Sequence, residues 1–153
     1  MDKNENKEHK ELYDLIRNLG KGIRKHGVKK VVRALKEINI VSESEKKFAI
    51  IDFVEKIVCE RLGVPSDELF NFTARGEITI ARKLCILLVR NNIPNVSDDE
   101  LASHYNRSRQ VVHNTEKEFR LLKQGKVNQF HIDVLTIYDE LNVKTKEFVE
   151  KLK

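Results

Sequence analysis

The chain has no tryptophan, a single methionine, only two prolines and six glycines among its 153 residues. Proline and glycine are the residues that interrupt regular structure most sharply, and they are thinly spread here. No stretch alternates apolar and polar residues for long. Together these absences exclude a sheet-rich fold and predict an all-α protein of about seven helices. Long apolar runs are also missing. None reaches the roughly 18 residues that a membrane-spanning helix needs, and the opening MDKNENKEHK lacks the apolar core of a secretory leader. A cytoplasmic protein without a membrane partner is expected. Cysteine occurs twice, at Cys59 and Cys85, each inside an apolar helical pattern. Both read as small buried hydrophobes with reduced thiols.

Residues that carry chemistry are equally sparse in grouping. His9, His26, His104, His113 and His131 are scattered, without metal-ligand spacing. No local Cys–His or Ser–His–Asp grouping occurs, and the carboxylates are spread over solvent faces. The expectation is a protein that is not an enzyme and has no metal or cofactor. What is abundant is charge: 35% of residues are charged, with a net charge of +5 and a pI near 9.2. A basic balance admits a polyanionic partner. The length allows one domain with a helical extension. Three segments are expected: an N-terminal helical extension over 1–45, a helical domain over 46–126, and a C-terminal helix over 127–153.

The spacing of apolar residues predicts the elements. A first helix runs from about Asn6 to Arg24, with Leu12, Leu15, Ile16 and Leu19 in its stripe. A short helix follows Gly27 and turns Val28, Val31, Val32, Leu35 and Ile38 inward. Ser42 with Glu45 three residues later reads as a capping box that starts a third helix, which stops at Gly63. A turn of helix covers Ser66 to Phe70. A half-buried helix covers Glu77 to Asn91. Two further helices cover Ser97 to Tyr105 and Ser108 to about Lys123, and a last one covers about Asn128 to Leu152.

The stretch SDDELASHYNRSRQVVHNTEKEFRLLK is the most informative. Ser97 is an N-cap candidate, and Asp98, Asp99 and Glu100 suit the positive end of a helix dipole. Asn106 tolerates a left-handed backbone and can make a tight turn. Ser108 would cap the next helix. In that helix Val112, Thr115, Phe119 and Leu122 recur at three and four residues, which marks a core face. Arg109, Gln110, His113, Asn114 and Lys117 fall on the other face. These are side-chain types that read base edges: Arg pairs with guanine, Gln or Asn with adenine. The second helix of a helix-turn-helix enters the major groove N-terminal end first. Arg109, Gln110, His113 and Asn114 are therefore the candidate base contacts. Arg107, Ser108, Lys117, Arg120 and Lys123 are candidates for the phosphate backbone. The competing reading is an ordinary helical hairpin whose polar face is merely solvated.

From Ile57 to about Lys123 the chain resembles the C-terminal DNA-binding domain of the bacterial replication initiator DnaA, a relative of the Trp-repressor fold. IVCERLGVPSDELF is similar to that family's opening helix and turn. RGEITIARKLCILLVRN is similar to its basic loop and long helix with an Ala-Arg start. SDDELASHYN and RSRQVVHNTEKEF are similar to its helix-turn-helix. The resemblance covers under half of the chain. It implies that Arg75, in the basic loop, reaches a minor groove and that Arg82 approaches the DNA backbone. Read without the resemblance, Arg82 is a charge on a helix face and Arg75 an exposed loop residue. The family's Gly-Gly turn followed by Arg-Asp-His is absent here, where Asn106-Arg107-Ser108-Arg109-Gln110 stands, so the initiator's usual box should not be recognised. No Gly-rich phosphate loop ending in Lys-Ser/Thr occurs either. The expected function is sequence-specific binding of double-stranded DNA in transcription control or at a replication origin. A nucleoid location follows from that expectation. The alternatives are a non-specific DNA-coating protein and a protein–protein adaptor.

Two flanking features stay open. The segment from Lys21 to Lys36 carries Lys21, Arg24, Lys25, Lys29, Lys30, Arg33 and Lys36 with no acidic residue. It is either a second phosphate-tracking surface or a solvated basic face. The last helix carries Phe130, Val134, Ile137, Leu141, Phe148 and Leu152 near heptad spacing, broken at Lys144 and Thr145. It either folds back on its own domain or pairs with a second copy as a homodimer.

Overall fold

A computed structural model describes residues 3–72, 76–125 and 129–153, with the side chains of 3–8, 39–41 and 129–130 not described. Among the described residues there is no strand, and the chain is all-α. Six α-helices follow one another: α1 Lys3–His26, α2 Val28–Leu62, α3 Gly76–Asn92, α4 Asp98–His104, α5 Arg109–Gln124 and α6 Gln129–Lys151. A 3-10 turn, Ser66–Phe70, sits between α2 and α3. No described helix is long and apolar enough to cross a membrane. The chain forms two compact units, Met1–Glu45 and Lys46–Lys153.

One expected boundary is absent. No helix starts after Ser42; α2 is continuous from Val28 to Leu62. Ser42, Glu43, Ser44 and Glu45 are all exposed, so a helix can pass through them without burying a polar group. No proline or glycine lies between Gly27 and Gly63 to stop it. The real stops are those two glycines, both with positive φ, 81° and 65°. A left-handed residue there suits glycine, which has no Cβ to clash. After Gly63 the Val64 N–H donates to the Cys59 carbonyl at 3.1 Å, a Schellman-type helix end.

In the second unit α3 is the central helix, packed against the 3-10 turn, α5 and α6. Ile78, Ala81, Leu84, Cys85, Ile86, Leu88 and Val89 are all buried, so α3 is covered nearly all round rather than on one face. Around it lie Val54 and Val58 of α2, Leu69, Leu101 of α4, Tyr105, Val112 of α5 and Leu141 of α6. Both cysteines belong to this core, and burial pushes their thiols upward in pKa, most strongly at Cys85.

The last helix folds back on this unit. Tyr138, Leu141 and Thr145 are buried, and Phe148 stacks on Phe53 with ring centroids 4.1 Å apart. Thr145 does not break the stripe. Its hydroxyl donates to the Leu141 carbonyl at 2.8 Å, which lets a threonine occupy an inward position. Phe130 lies among the residues whose side chains are not described.

The first unit is different. Leu12, Leu15, Ile16 and Ile23 are exposed, and so are Val28, Val32, Leu35 and Ile38, which were expected to turn inward. α1 and α2 are separated by Gly27 alone.

Two neighbours on α6 test the packing. Leu141→Ala should cost about 2–5 kcal/mol of unfolding free energy, because it opens a cavity beside α3. Val143→Ala, at an exposed position, should stay within about 0.5 kcal/mol. Urea unfolding of the two variants checks this; equal effects would mean that α6 is not docked.

Candidate nucleic-acid interface

The candidate site is the pair α4–α5 with the turn that joins them. Ser97 starts α4 with a complete capping box. Its hydroxyl accepts from the Glu100 N–H at 3.1 Å, and its own N–H donates to the Glu100 carboxylate at 2.7 Å. α4 ends at Tyr105, whose ring is fully buried between Phe70 and His104. Asn106 then takes φ 52°, the left-handed conformation expected of it. Ser108 stands at the N-cap position of α5, but its side chain makes no capping hydrogen bond.

α5 is sharply two-sided. Val112, Thr115 and Phe119 are buried. Arg109, Gln110, His113, Asn114, Lys117 and Arg120 are all exposed. At 100° per residue these six fall within a sector of about 140°, opposite the buried three. Within that face Gln110 donates to the Asn114 side-chain oxygen at 2.9 Å, so the two amides share an orientation. Arg109 lies 3.7 Å from Asp98 while staying mostly exposed.

The acidic residues of α5 are drawn off sideways to α3. Glu116 accepts from Arg90 at 2.6 Å, and Glu118 pairs with Lys83 at 2.5 Å. The outward sector is left with cations, amides, His113 and the exposed Leu121, and with no carboxylate of α5. Lys123 sits over the rings of Phe119 and Tyr138, at 4.8 and 5.5 Å from their centroids, and is thereby partly committed to packing.

Arg90 was not singled out by sequence, yet it holds three elements together. From α3 it reaches Glu116 of α5, Asp98 at the start of α4, and the Val96 carbonyl. Two more ties run to α2: His104 with Glu55 at 2.6 Å, and Lys47 with Glu100. The hydrogen bond from Lys47, with those from Ser97, holds the Glu100 carboxyl down at about 2.

The arginines outside α5 fare differently from expectation. Arg82 does not present its charge to a DNA backbone. It is 5% exposed, and its guanidinium donates to the carbonyls of Leu69 at 2.6 Å and Asn71 at 2.8 Å. The chain leaving the 3-10 turn has carbonyls without helical partners, and a buried arginine satisfies them. Burial, with Arg107 nearby, lowers its pKa. Arg107 is half-buried; it donates to the same Asn71 carbonyl and stacks over Phe72 at 5.0 Å. Phe72 is 76% exposed, an aromatic beside the turn that sequence reading passed over because nothing periodic marks it. Arg75 lies outside the described residues.

No family model, no curated protein and no solved structure matches this chain.

Two measurements follow. Arg82→Met should lower stability by about 2–3 kcal/mol in urea unfolding, since it strips charged donors from two carbonyls; a neutral result would return Arg82 to the surface. Glu100 has its pKa depressed in the folded state from an ordinary 4.5 to about 2. Its contribution is therefore present above pH 4.5 and lost as pH falls toward 2. The stability gap between the wild-type chain and Glu100→Gln should be visible at pH 7 and close across that window. A gap that persists at pH 2 would mean the Lys47–Glu100 pair is not its source.

Proposed function

We propose that the chain is a sequence-specific double-stranded DNA-binding protein whose helix α5 enters the major groove. The observation that carries this reading is the sidedness of α5. One exposed sector collects Arg109, Gln110, His113 and Asn114 at its N-terminal end, with Lys117 and Arg120 further along, while Glu116 and Glu118 are neutralised from α3. In this reading Arg109, Gln110, His113 and Asn114 meet base edges, where Arg and amide side chains make bidentate pairs. Lys117 and Arg120, with the exposed hydroxyl of Ser108, meet phosphates. Arg107 contributes at the turn, as far as its hold on Asn71 allows. The likeness of Ile57 to Lys123 to the DnaA reading head supports the same placement, and with it a Trp-repressor-like helix-turn-helix. A role in transcription control or at an origin follows from sequence-specific duplex binding, and a nucleoid location with it.

A second reading has its own observation. All seven cations between Lys21 and Lys36 are exposed, which favours a protein that coats DNA without reading it.

Selection from a random duplex pool at about physiological salt separates them. An enriched motif is expected. Arg109→Ala or Gln110→Ala should then relax one position by about 1–3 kcal/mol, while Lys117→Ala or Arg120→Ala weakens all sequences alike and reduces the salt slope by about 1. Retention without enrichment would establish the coating protein. No retention would sink both and leave a helical adaptor for another protein.

A further inference from the structure

Three helices of the second unit leave a space between them. α3, α5 and α6 line a cavity of about 160 Å³. Ile80, Leu84 and Leu87 of α3 form one wall, Phe119 and Leu122 of α5 a second, and Val134 of α6 a third. Ile80, Leu87 and Val134 pack against the core yet stay half-buried, because the space lies beside them.

The polar groups around this cavity are already engaged. Lys83 and Glu118, with side chains 39% and 56% exposed, stand at its mouth and pair with each other at 2.5 Å. Thr115 is buried in the wall, and its hydroxyl donates to the Val111 carbonyl at 2.8 Å. His131, also in the wall, has a contact of its own. A trapped water needs about two to four hydrogen-bond partners, and these walls supply few. An apolar molecule needs none, and it covers side chains that are otherwise half in solvent. The volume sets its size. A cavity of roughly 150 Å³ lined by Leu, Ile and Phe stays dry and accepts one benzene.

We propose that this cavity is a binding site for a small neutral apolar molecule about the size of benzene. The bound molecule touches α5 from behind, on Phe119 and Leu122, while Arg109, Gln110 and Asn114 of the same helix stay exposed. Occupancy therefore braces α5 against α3 and α6. The inference does not depend on DNA binding.

Benzene is the probe. On titration into the methyl-labelled full chain, the NMR signals of Ile80, Leu84, Leu87, Leu122 and Val134 should shift, and those of Val58 and Val64 should not. The dissociation constant should be on the order of 1 mM. Pyridine has nearly the same shape but carries a hydrogen-bond acceptor, so it should bind about tenfold more weakly or worse. Urea unfolding gives an independent readout: about 5 mM benzene should shift the folding equilibrium of the wild-type chain roughly sixfold. Leu87→Phe and Val134→Phe each push a ring into the space, from different helices, and should abolish that shift; one folded variant suffices. No methyl response, a response spread through the core, pyridine binding as tightly as benzene, or an undiminished benzene effect in a filled variant would each overturn the proposal.

Discussion

One guanidinium sets the geometry on which the candidate site depends. Arg90 leaves the last turn of α3 and meets Glu116 on α5, Asp98 at the head of α4 and the Val96 carbonyl between them. Arginine can do this because its donors form a rigid planar fork that addresses several acceptors at once. α4 has only seven residues, too few to hold itself in place by helix propensity. It is fixed instead from both ends: by Arg90 and the capping box at its start, and by the buried Tyr105 ring at its close. Lys47 and Glu55 of α2 fasten it from the side. The orientation of α5 follows, since only four residues connect the two helices.

The same constraint shapes the electrostatics. Every glutamate that would compromise the outward face of α5 is engaged by a cation on α3, and the pairing is lateral rather than across the face. Exposed pairs of this kind contribute little stability individually. Their consequence is directional: they leave a sector bearing Arg, Lys, His, amides and one exposed leucine, Leu121, without nearby carboxylates other than Asp98. A polyanion approaching that sector meets donors and positive charge, which is the condition for both steering and readout. Arg82 shows the opposite use of the same side chain. With its carbonyl acceptors on Leu69 and Asn71, it anchors the chain that leads out of the 3-10 turn.

Much of the second unit was legible in the sequence because periodicity and local chemistry agree there. Ser97, Asn106, Gly63 and the Val112–Thr115–Phe119 spacing each act within one turn of helix, so the sequence carries them directly. Arg82 and Arg90 were not legible in that way, since their roles depend on carbonyls and carboxylates up to 26 positions away. A charged residue on a helix looks the same in sequence whether it faces water or a carbonyl. Ser42 was misread for a related reason: Ser-x-x-Glu suits a helix start, but four exposed, helix-compatible residues suit a helix interior equally well. Thr145 looked like a break in the last stripe because its hydroxyl can be satisfied by its own helix, which composition does not reveal.

The two units also differ in how their apolar residues are answered. In Lys46–Lys153 the stripes of α3, α5 and α6 find one another, and a threonine and an arginine are buried only with their polar atoms paired. In Met1–Glu45 the stripe of α1 is as regular, yet Leu12, Leu15, Ile16 and Ile23 stay exposed. Scattered exposed leucines and isoleucines are ordinary on a protein surface, whereas a contiguous, helix-periodic row of them is not. Helix propensity cannot account for that row, because solvent-facing positions have no requirement for Leu or Ile over Lys or Glu.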